Sequence, residues 1–199
     1  MVKLFEVRKS VAYYLTEPAV RLLDKTSVTP NAITWFGFLL AVGAAVLIIK
    51  EHLFAAGFLV LISGFFDILD GALARRINRT TRFGAILDST LDRLSEAVLL
   101  LGILVLYARE QSFTPILLVG IALLGSLMVS YTRARAEALG VECQIGLFTR
   151  AERVIVLALG LLLSQIAGAL VIALAIIVVF SFFTIGQRLV YVWQQTKIK

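Results

Sequence analysis

Four aspartates stand at short intervals in an otherwise apolar stretch of the chain: Asp67, Asp70, Asp88 and Asp92. The first two are three residues apart and the last two are four apart, so on helices each pair lies on one face. If the two helices pack antiparallel, the two pairs face each other. Four carboxylates that close repel one another, and they are stable together when they share divalent cations. The spacing therefore indicates chemistry that uses bound metal ions.

Three interpretations of these aspartates are open from the residues alone. Structural pairing with Arg75 or Arg93 accounts for one or two carboxylates but not for four. An ion or proton pathway is the second interpretation, although such sites usually lie near the middle of the bilayer and these aspartates lie beside an arginine-rich loop. The third is a metal site for phosphate chemistry, because carboxylates bind Mg²⁺ or Mn²⁺ and leave positions for phosphate oxygens. Gly71 and Gly84, which let a ligand approach the backbone, favour the third.

The helices that carry the aspartates belong to a chain too apolar for a soluble domain. Of its 199 residues 60% are hydrophobic, and the mean hydropathy is +0.95. We predict an all-α, polytopic membrane protein that forms a single domain over residues 1–199. The six predicted spans are residues 31–49, 53–74, 83–107, 114–138, 152–167 and 169–192.

The basic residues predict the orientation of the chain. Lys50 and Arg109 are the only two on one side of the predicted bundle, and the others fall on the opposite side. By the positive-inside rule we predict a multi-pass protein of the cell membrane whose aspartates and both termini are cytoplasmic. Residues 1–26 alternate apolar and charged side chains at near-helical spacing, which predicts an amphipathic helix on the cytoplasmic interface. The transmembrane bundle then occupies residues 27–199.

The first span has a recognisable beginning. Thr29 is a suitable N-cap and Pro30 suits the first helical position. Asn31 and Thr34 follow three residues apart on one face. The N-terminus of a helix favours anions, so simple helix initiation and contact with an anionic ligand both explain these residues.

The aspartate pattern resembles a complete family signature. The residues in question read Asp67-x₂-Asp70-Gly71-x₂-Ala74-Arg75-x₈-Gly84-x₃-Asp88-x₃-Asp92. This is similar to the signature of the CDP-alcohol phosphotransferases, or phosphatidyltransferases, and the six-span layout resembles that family too. The resemblance implies an enzyme that cleaves the pyrophosphate of a CDP-linked lipid, transfers the lipid phosphate to an alcohol and releases CMP. It also implies that the enzyme is a homodimer and that its partners are membrane lipids, not nucleic acid.

The resemblance assigns roles to individual positions. Asp67, Asp70 and Asp88 match ligands of two divalent ions, with Mg²⁺ expected and Mn²⁺ as the alternative. Asp92 matches the residue that helps to hold the second ion and accepts the proton of the attacking hydroxyl. The residues that match CDP-lipid contacts are Asn31, Ala32, Ile33, Thr34, Gly71, Arg75 and Thr81.

Arginines near the ends of the last three spans indicate the acceptor. These residues are Arg133, Arg135, Arg150, Arg153 and Arg188. A neutral alcohol would not need several guanidinium groups, whereas a phosphorylated polyol would. The segments 130–138, 149–153 and 187–189 resemble the branch of the family that makes phosphatidylinositol phosphate, where the matching basic residues hold the phosphate of inositol 1-phosphate. Arg133 replaces the common Lys of that branch, and Ala151 replaces its Pro.

Alternatives to this acceptor and to this activity remain open from the sequence. Glycerol 3-phosphate is the closest rival acceptor. Archaeal enzymes that make the ether-lipid equivalent, archaetidylinositol phosphate, look similar, so these motifs do not distinguish CDP-diacylglycerol from its ether analogue. The alternative of another class is a metal or proton transporter built on the same carboxylates.

Overall fold

The computed structural model describes residue 14, residues 16–78 and residues 80–197, and all regular structure in these ranges is helical. Six helices follow a shorter helical segment at residues 16–23. They are α1 (Pro30–Ile49), α2 (Leu53–Arg76), α3 (Arg82–Arg109), α4 (Phe113–Ala138), α5 (Arg150–Leu162) and α6 (Ala169–Lys197). Much of the interfacial helix predicted over residues 1–26 lies outside the described residues.

Local sequence signals set the beginnings of the helices that meet at one end of the molecule. The Thr29 side chain accepts a hydrogen bond from the backbone N–H of Ala32 at 3.3 Å, and Pro30 is the first residue of α1, so the predicted start of this helix is confirmed. Thr81 caps α3 in the same way by accepting from the N–H of Gly84 at 2.9 Å. Both caps satisfy backbone donors that a helix N-terminus leaves unpaired.

The six helices form a ring. Helix α1 packs on α2 and α3, α2 packs on α5, α5 on α6, α6 on α4, and α4 closes the ring on α3. Four of the five connections are short, which makes the helices that they join antiparallel. The eleven-residue connection 139–149 also returns the chain, because Arg150 at the start of α5 lies beside Asp67 and Leu162 at its end lies beside Gly57. One end of the ring, which we call the site end, therefore gathers the beginnings of α1, α3 and α5 and the ends of α2, α4 and α6.

Helices α2 and α3, which carry the four aspartates, pack chiefly on α1 rather than on each other. Two glycines make this possible. A Cβ on Gly37 would lie 3.0 Å from Asp67 Oδ1, and one on Gly102 would lie 3.1 Å from the carbonyl oxygen of Ala45. Ser63 also donates to the Gly37 carbonyl at 2.9 Å. Direct packing of α2 on α3 is thus replaced by packing through α1, and the aspartate pairs face each other across a gap.

Within the described ranges, four helices are long and apolar enough to cross a membrane, namely α1, α2, α4 and α6. Many large apolar side chains are exposed, as in proteins whose surface contacts lipid. Examples are Phe54, Phe58, Leu124, Val179 and Phe183. Helix α3 has 28 residues but carries several charged side chains. The fold is therefore an all-helical, membrane-type bundle.

Helix α5 is shorter than the predicted span 152–167, since it ends at Leu162 after 13 residues. Its first residue, Arg150, contacts Asp67 of α2, and a Cβ on Gly57 of α2 would lie 2.8 Å from Leu162. Helix α5 thus runs alongside only part of α2, from Asp67 to Gly57. Nine residues of α2 lie beyond Asp67, which is about 14 Å of helix. The start of α5 is therefore set below the site end, and a recess forms there.

The helical segment at residues 16–23 is attached to α1 and α2 at the site end. Val20 is buried in a small apolar cluster with residues of α1 and α2. Arg76 at the end of α2 donates to Glu17 at 3.1 Å and to Asp24 at 3.0 Å. A hydrogen bond from Arg21, supported by Arg76, holds the pKa of Glu17 below its usual range. The segment is thus held to α2 by both apolar contacts and ion pairs.

Candidate active site

A cleft of about 550 Å³ opens at the site end between α1, α2 and the beginning of α3. It is lined by Pro30, Asn31, Thr34, Asp70, Gly71, Ala74, Arg75, Thr80, Thr81, Gly84, Ala85 and Asp88. Most of the residues predicted to contact the CDP-lipid are therefore together on one surface. The two exceptions are Ala32, which is exposed outside the cleft, and Ile33, which is buried in the apolar cluster beneath it.

Two glycines shape the floor of the cleft. A Cβ on Gly84 would lie 2.9 Å from Thr81 Oγ1 and 3.3 Å from Asn31 Oδ1. A Cβ on Gly71 would lie 3.4 Å from Nη1 of Arg75, so this guanidinium lies directly against the glycine. Any larger residue at position 84 has to displace a side chain of the cleft. Gly84 thus has a steric role in the cleft, whereas a Cβ on Gly71 would make only an ordinary van der Waals contact with Arg75.

Asp70 is the most deeply buried of the four aspartates, with 3% of its surface exposed. Among the described residues, neither of its carboxylate oxygens has a hydrogen-bond partner of ordinary geometry. The neighbouring Thr34 hydroxyl donates instead to the carbonyl of Pro30 at 3.1 Å. A buried carboxylate without partners is costly, and a bound cation is the usual compensation.

Arg150 lies between the two helices that carry the aspartates. Its Nη2 is 2.6 Å from Asp67 Oδ2 on α2, and its Nη1 is 2.6 Å from Asp92 Oδ1 on α3. A capping contact just before it fixes its place, because Glu152 accepts from the backbone N–H of Thr149 at 2.7 Å. The sequence pattern grouped Arg150 with the acceptor arginines, and the structure brings it to the aspartates. The four aspartates outnumber the arginines near them in sequence, and this excess could have indicated that an arginine from a distant helix pairs with them.

The donor set fits a hard divalent cation, since it consists of carboxylate oxygens and includes the unpaired oxygens of Asp70. As the side chains lie, no group of three or more acidic, histidine or cysteine side chains among the described residues is placed to hold an ion. The Arg150 guanidinium instead occupies one oxygen each of Asp67 and Asp92. The fit thus lies in the chemistry of the donors, and the metal site stays a prediction.

Arg153 is buried in the interior of the ring, with 1% of its surface exposed. Its Nε and Nη2 donate to the two carboxylate oxygens of Glu96 at 2.6 and 2.8 Å, and Ser126 on α4 donates to the same carboxylate at 2.8 Å. Its remaining nitrogen, Nη1, has no hydrogen-bond partner in the described part of the chain. Glu96 was missed by sequence reasoning, although a carboxylate one turn beyond Asp92 in an apolar helix was a usable signal.

Arg188 on α6 is also buried, at 4% exposed, and it binds backbone carbonyls. It donates to the carbonyl of Ile145 at 3.0 Å and to that of Val129. Gly146, with φ of +143°, allows this approach, because a Cβ there would lie 2.9 Å from Thr184 Cγ2. Arg188 therefore joins the connection between α4 and α5 to α4 at Val129, nine residues before that helix ends.

The other two predicted acceptor arginines are exposed on the last turns of α4. Arg133 pairs with Glu137 at 2.8 Å, and Arg135 faces solvent. Arg133 and Arg153 both lie close enough to Arg188 for their charges to act on it. Three of the five arginines are thus near one another, and a fourth, Arg150, lies among the aspartates.

Comparison with known proteins identifies the family. A model of the CDP-alcohol phosphatidyltransferase family matches residues 27–185. The archaetidylinositol phosphate synthase of Methanothermobacter thermautotrophicus is 43% identical over 178 residues, which cover 88% of this chain and 89% of that protein. The phosphatidylinositol phosphate synthase of Mycobacterium tuberculosis is 36% identical over 186 residues, which cover 90% of this chain and 86% of that protein.

Solved structures agree with these relatives. The crystal structure of the Mycobacterium tuberculosis phosphatidylinositol phosphate synthase with CDP-DAG bound superimposes with a TM-score of 0.81 at 36% identity, and covers 89% of this chain and 93% of that chain. The same enzyme in complex with manganese and citrate gives a TM-score of 0.79 at 35% identity, with 89% and 88% covered. The resemblance seen in the aspartate pattern is confirmed. The chain belongs to the CDP-alcohol phosphatidyltransferase family.

Proposed function

We propose that this enzyme transfers the lipid phosphate of a CDP-linked lipid to inositol 1-phosphate, giving a phosphatidylinositol phosphate or its ether analogue and CMP. The observation that carries the proposal is the group of arginines beside the aspartates. A guanidinium recognises phosphate through paired, charge-assisted hydrogen bonds, and a neutral alcohol gives such donors nothing to bind. The similarity to archaetidylinositol phosphate and phosphatidylinositol phosphate synthases supports the same acceptor.

The cleft between α1, α2 and α3 is proposed to hold the CDP part of the lipid. Asn31, Thr34 and Thr81 offer polar groups to the nucleotide, and the backbone of Ala32 and Ile33 lies at the N-terminus of α1, where anions are favoured. Gly71 keeps the floor low enough for a phosphate to approach, and the adjacent Arg75 supplies positive charge. The CDP-DAG complex of the related Mycobacterium tuberculosis enzyme supports a CDP-linked lipid as the substrate.

Asp67, Asp70, Asp88 and Asp92 are proposed to hold two divalent ions, Mg²⁺ or Mn²⁺. Such ions, when bound, neutralise a diphosphate and stabilise its leaving group. The unpaired buried oxygens of Asp70 support this, as does the manganese complex of a relative. Arg150, which pairs with Asp67 and Asp92, would then exchange these carboxylates for the phosphate of the acceptor.

Asp92 is proposed as the proton acceptor. The acceptor hydroxyl oxygen forms a bond to the phosphorus of the lipid phosphate, the bond from that phosphorus to the CMP oxygen breaks, and the hydroxyl proton passes to Asp92. Asp92 suits this role because its side chain is partly exposed, whereas Asp70 is buried. A carboxylate within hydrogen-bond reach of the hydroxyl is the geometric requirement for a general base.

The arginines divide into two kinds in this proposal. Arg133 and Arg135 are exposed and can donate to a phosphate directly, whereas Arg150 is only partly exposed and would first have to release Asp67 and Asp92. Arg153 and Arg188 are buried and hydrogen-bonded, so they contribute mainly positive charge and the placement of neighbouring groups. The accessible arginines and the buried arginines together place much positive charge near the acceptor, which favours an acceptor that carries a phosphate.

We further propose that all six helices cross the membrane, with the helical segment at residues 16–23 on the cytoplasmic interface and the single domain assembled as a homodimer. Helix α5 is only about 20 Å long, so it would complete its crossing of the bilayer together with the recess above its first residue. Lys50 and Arg109 lie at the end opposite the site, and the remaining basic residues among those described favour a cytoplasmic site end. The lipid tails would then stay in the bilayer while the acceptor enters from water.

Acceptor competition tests the proposed function. The protein is solubilised in detergent with Mg²⁺ and CDP-diacylglycerol, and CMP release is measured with inositol 1-phosphate, glycerol 3-phosphate or free inositol. We expect turnover with inositol 1-phosphate and little with free inositol. Preference for glycerol 3-phosphate would overturn the choice of acceptor, and equal use of free inositol would overturn the role of the arginines.

A further inference from the structure

Two arginine–carboxylate contacts join α3 to α5 across the interior of the ring. The outer contact is Asp92 with Arg150, at 2.6 Å. The inner contact is Glu96 with Arg153, at 2.6 and 2.8 Å. Glu96 is four residues beyond Asp92 on α3, and Arg153 is three residues beyond Arg150 on α5, so the contacts form two rungs one helical turn apart.

The inner rung is buried, and its two hydrogen bonds fix the relative orientation of Glu96 and Arg153. Glu96 and Arg153 are 7% and 1% exposed, and Ser126 on α4 adds a third hydrogen bond to the carboxylate. Burying two charges costs desolvation energy that a well-packed apolar pair would not incur. A two-point contact between a carboxylate and a guanidinium does, however, define one orientation. The pair is therefore better suited to fixing the orientation of α5 than to adding stability.

We propose that Glu96 is a positioning residue for the acceptor half of the site. Glu96 accepts hydrogen bonds from two nitrogens of Arg153, and among the described residues Nη1 has no partner. Because Arg150 lies one turn before Arg153 on α5, fixing Arg153 also fixes the direction in which Arg150 points, towards Asp67 and Asp92. The inference rests on the proposed function, because it concerns the binding of a phosphorylated acceptor.

The structure separates this effect from CDP-lipid binding. The cleft is built by α1, α2, the loop after α2 and the first two turns of α3, and neither Glu96 nor Arg153 lines it. Glu96 lies two turns beyond Asp88, the last cleft residue on α3. Loss of the inner rung should therefore change acceptor binding and leave CDP-lipid affinity unchanged.

The test is Glu96→Gln in the full chain, which keeps the size of the side chain and removes its charge. We expect the KM for inositol 1-phosphate to rise about ten- to a hundred-fold, the loss that a charged hydrogen bond to phosphate represents. CDP-diacylglycerol affinity should stay at the wild-type value. Glu96→Asp, which keeps the charge on a shorter side chain, should recover part of the loss.

Ile103→Val is the matched control for stability. Ile103 is fully buried seven residues further along α3, in apolar surroundings away from both rungs. The substitution should lower the thermal midpoint without changing the kinetics with either substrate. If Glu96→Gln does not fold, Ser126→Ala removes one hydrogen bond from the same carboxylate and should raise the acceptor KM in the same direction by a smaller factor.

An acceptor KM that stays at the wild-type value in a folded Glu96→Gln or Ser126→Ala variant overturns the positioning role. A wild-type enzyme that prefers glycerol 3-phosphate overturns the proposed acceptor instead. The KM of the Glu96 variants is then measured for glycerol 3-phosphate, and a normal value again rejects the positioning role. The two failures are thereby distinguished.

Discussion

Arg150 and Asp67 are joined at 2.6 Å between Nη2 and Oδ2, although 83 residues separate them in the chain. This contact brings the first residue of α5 to a carboxylate in the middle of α2. It sets the level at which α5 begins, and so it also defines the recess at the site end. The depth of the recess therefore depends on an ion pair made by Asp67, one of the aspartates of the family signature.

Replacing Arg150 by Lys should impair acceptor use while keeping the charge. A single ammonium group cannot present two separated donors as a guanidinium does, so contacts to both aspartates and to a phosphate are weakened. We expect a KM for inositol 1-phosphate higher by about tenfold, with little change in CDP-lipid affinity. Steady-state kinetics with each substrate varied in turn measures both. Lys50→Ala, at the far end of the molecule, is the control and should leave both values unchanged.

The proposed metal ligands predict a second set of losses. Asp67→Asn, Asp70→Asn and Asp88→Asn should each remove nearly all turnover, because a neutral amide is a poor substitute for a carboxylate that binds a divalent cation. EDTA should inactivate the wild-type enzyme, and added Mg²⁺ or Mn²⁺ should restore it. CMP release that continues at the normal rate in excess EDTA is the result that contradicts the metal mechanism.

Local sequence patterns predicted a large part of this architecture. The beginning of α1 at Thr29 and Pro30 is confirmed because capping depends only on neighbouring residues. The family is confirmed because its signature lies within one continuous stretch of the chain. The resemblance to the family assigned Asn31, Gly71 and Arg75 to contacts with one ligand, and in the structure all three line one cleft.

Features that depend on packing between distant helices could not be predicted in this way. Apolar content did not reveal that α5 ends at Leu162, since the turn that follows is itself largely apolar and closes at Gly168, with φ of +81°. The separation of α2 from α3 depends on what Gly37 and Gly102 contact, which periodicity does not show. The pairing of Arg153 with Glu96 likewise could not be predicted, because 57 residues separate the two, although the position of Glu96 in an apolar helix was itself a signal.

Gly84→Ala should weaken the binding of CDP-lipid. The new methyl group would lie 2.9 Å from Thr81 Oγ1 and 3.3 Å from Asn31 Oδ1, so these side chains must move into the cleft or lose the cap of α3. We expect a raised dissociation constant for CDP-diacylglycerol with an unchanged KM for the acceptor. Gly120→Ala is a matched control, because nothing lies within 4 Å of a Cβ at that helical position. It should be neutral or slightly stabilising, since alanine favours helices. Equal effects of the two substitutions on CDP-lipid binding would show that the cleft is not involved.

Asp92→Asn should separate chemistry from binding. The asparagine keeps the shape of the side chain but cannot accept the hydroxyl proton as a carboxylate does, so turnover should fall by about a hundredfold or more. CDP-lipid affinity should largely survive, because Asp67, Asp70 and Asp88 remain. Single-turnover CMP release measures the chemical step, and equilibrium binding of CDP-diacylglycerol measures affinity. Binding and turnover that decrease in parallel would instead identify Asp92 as chiefly a ligand for the ions. In that case the proton must pass to another group, and the base assignment is wrong even though the four-carboxylate site stands.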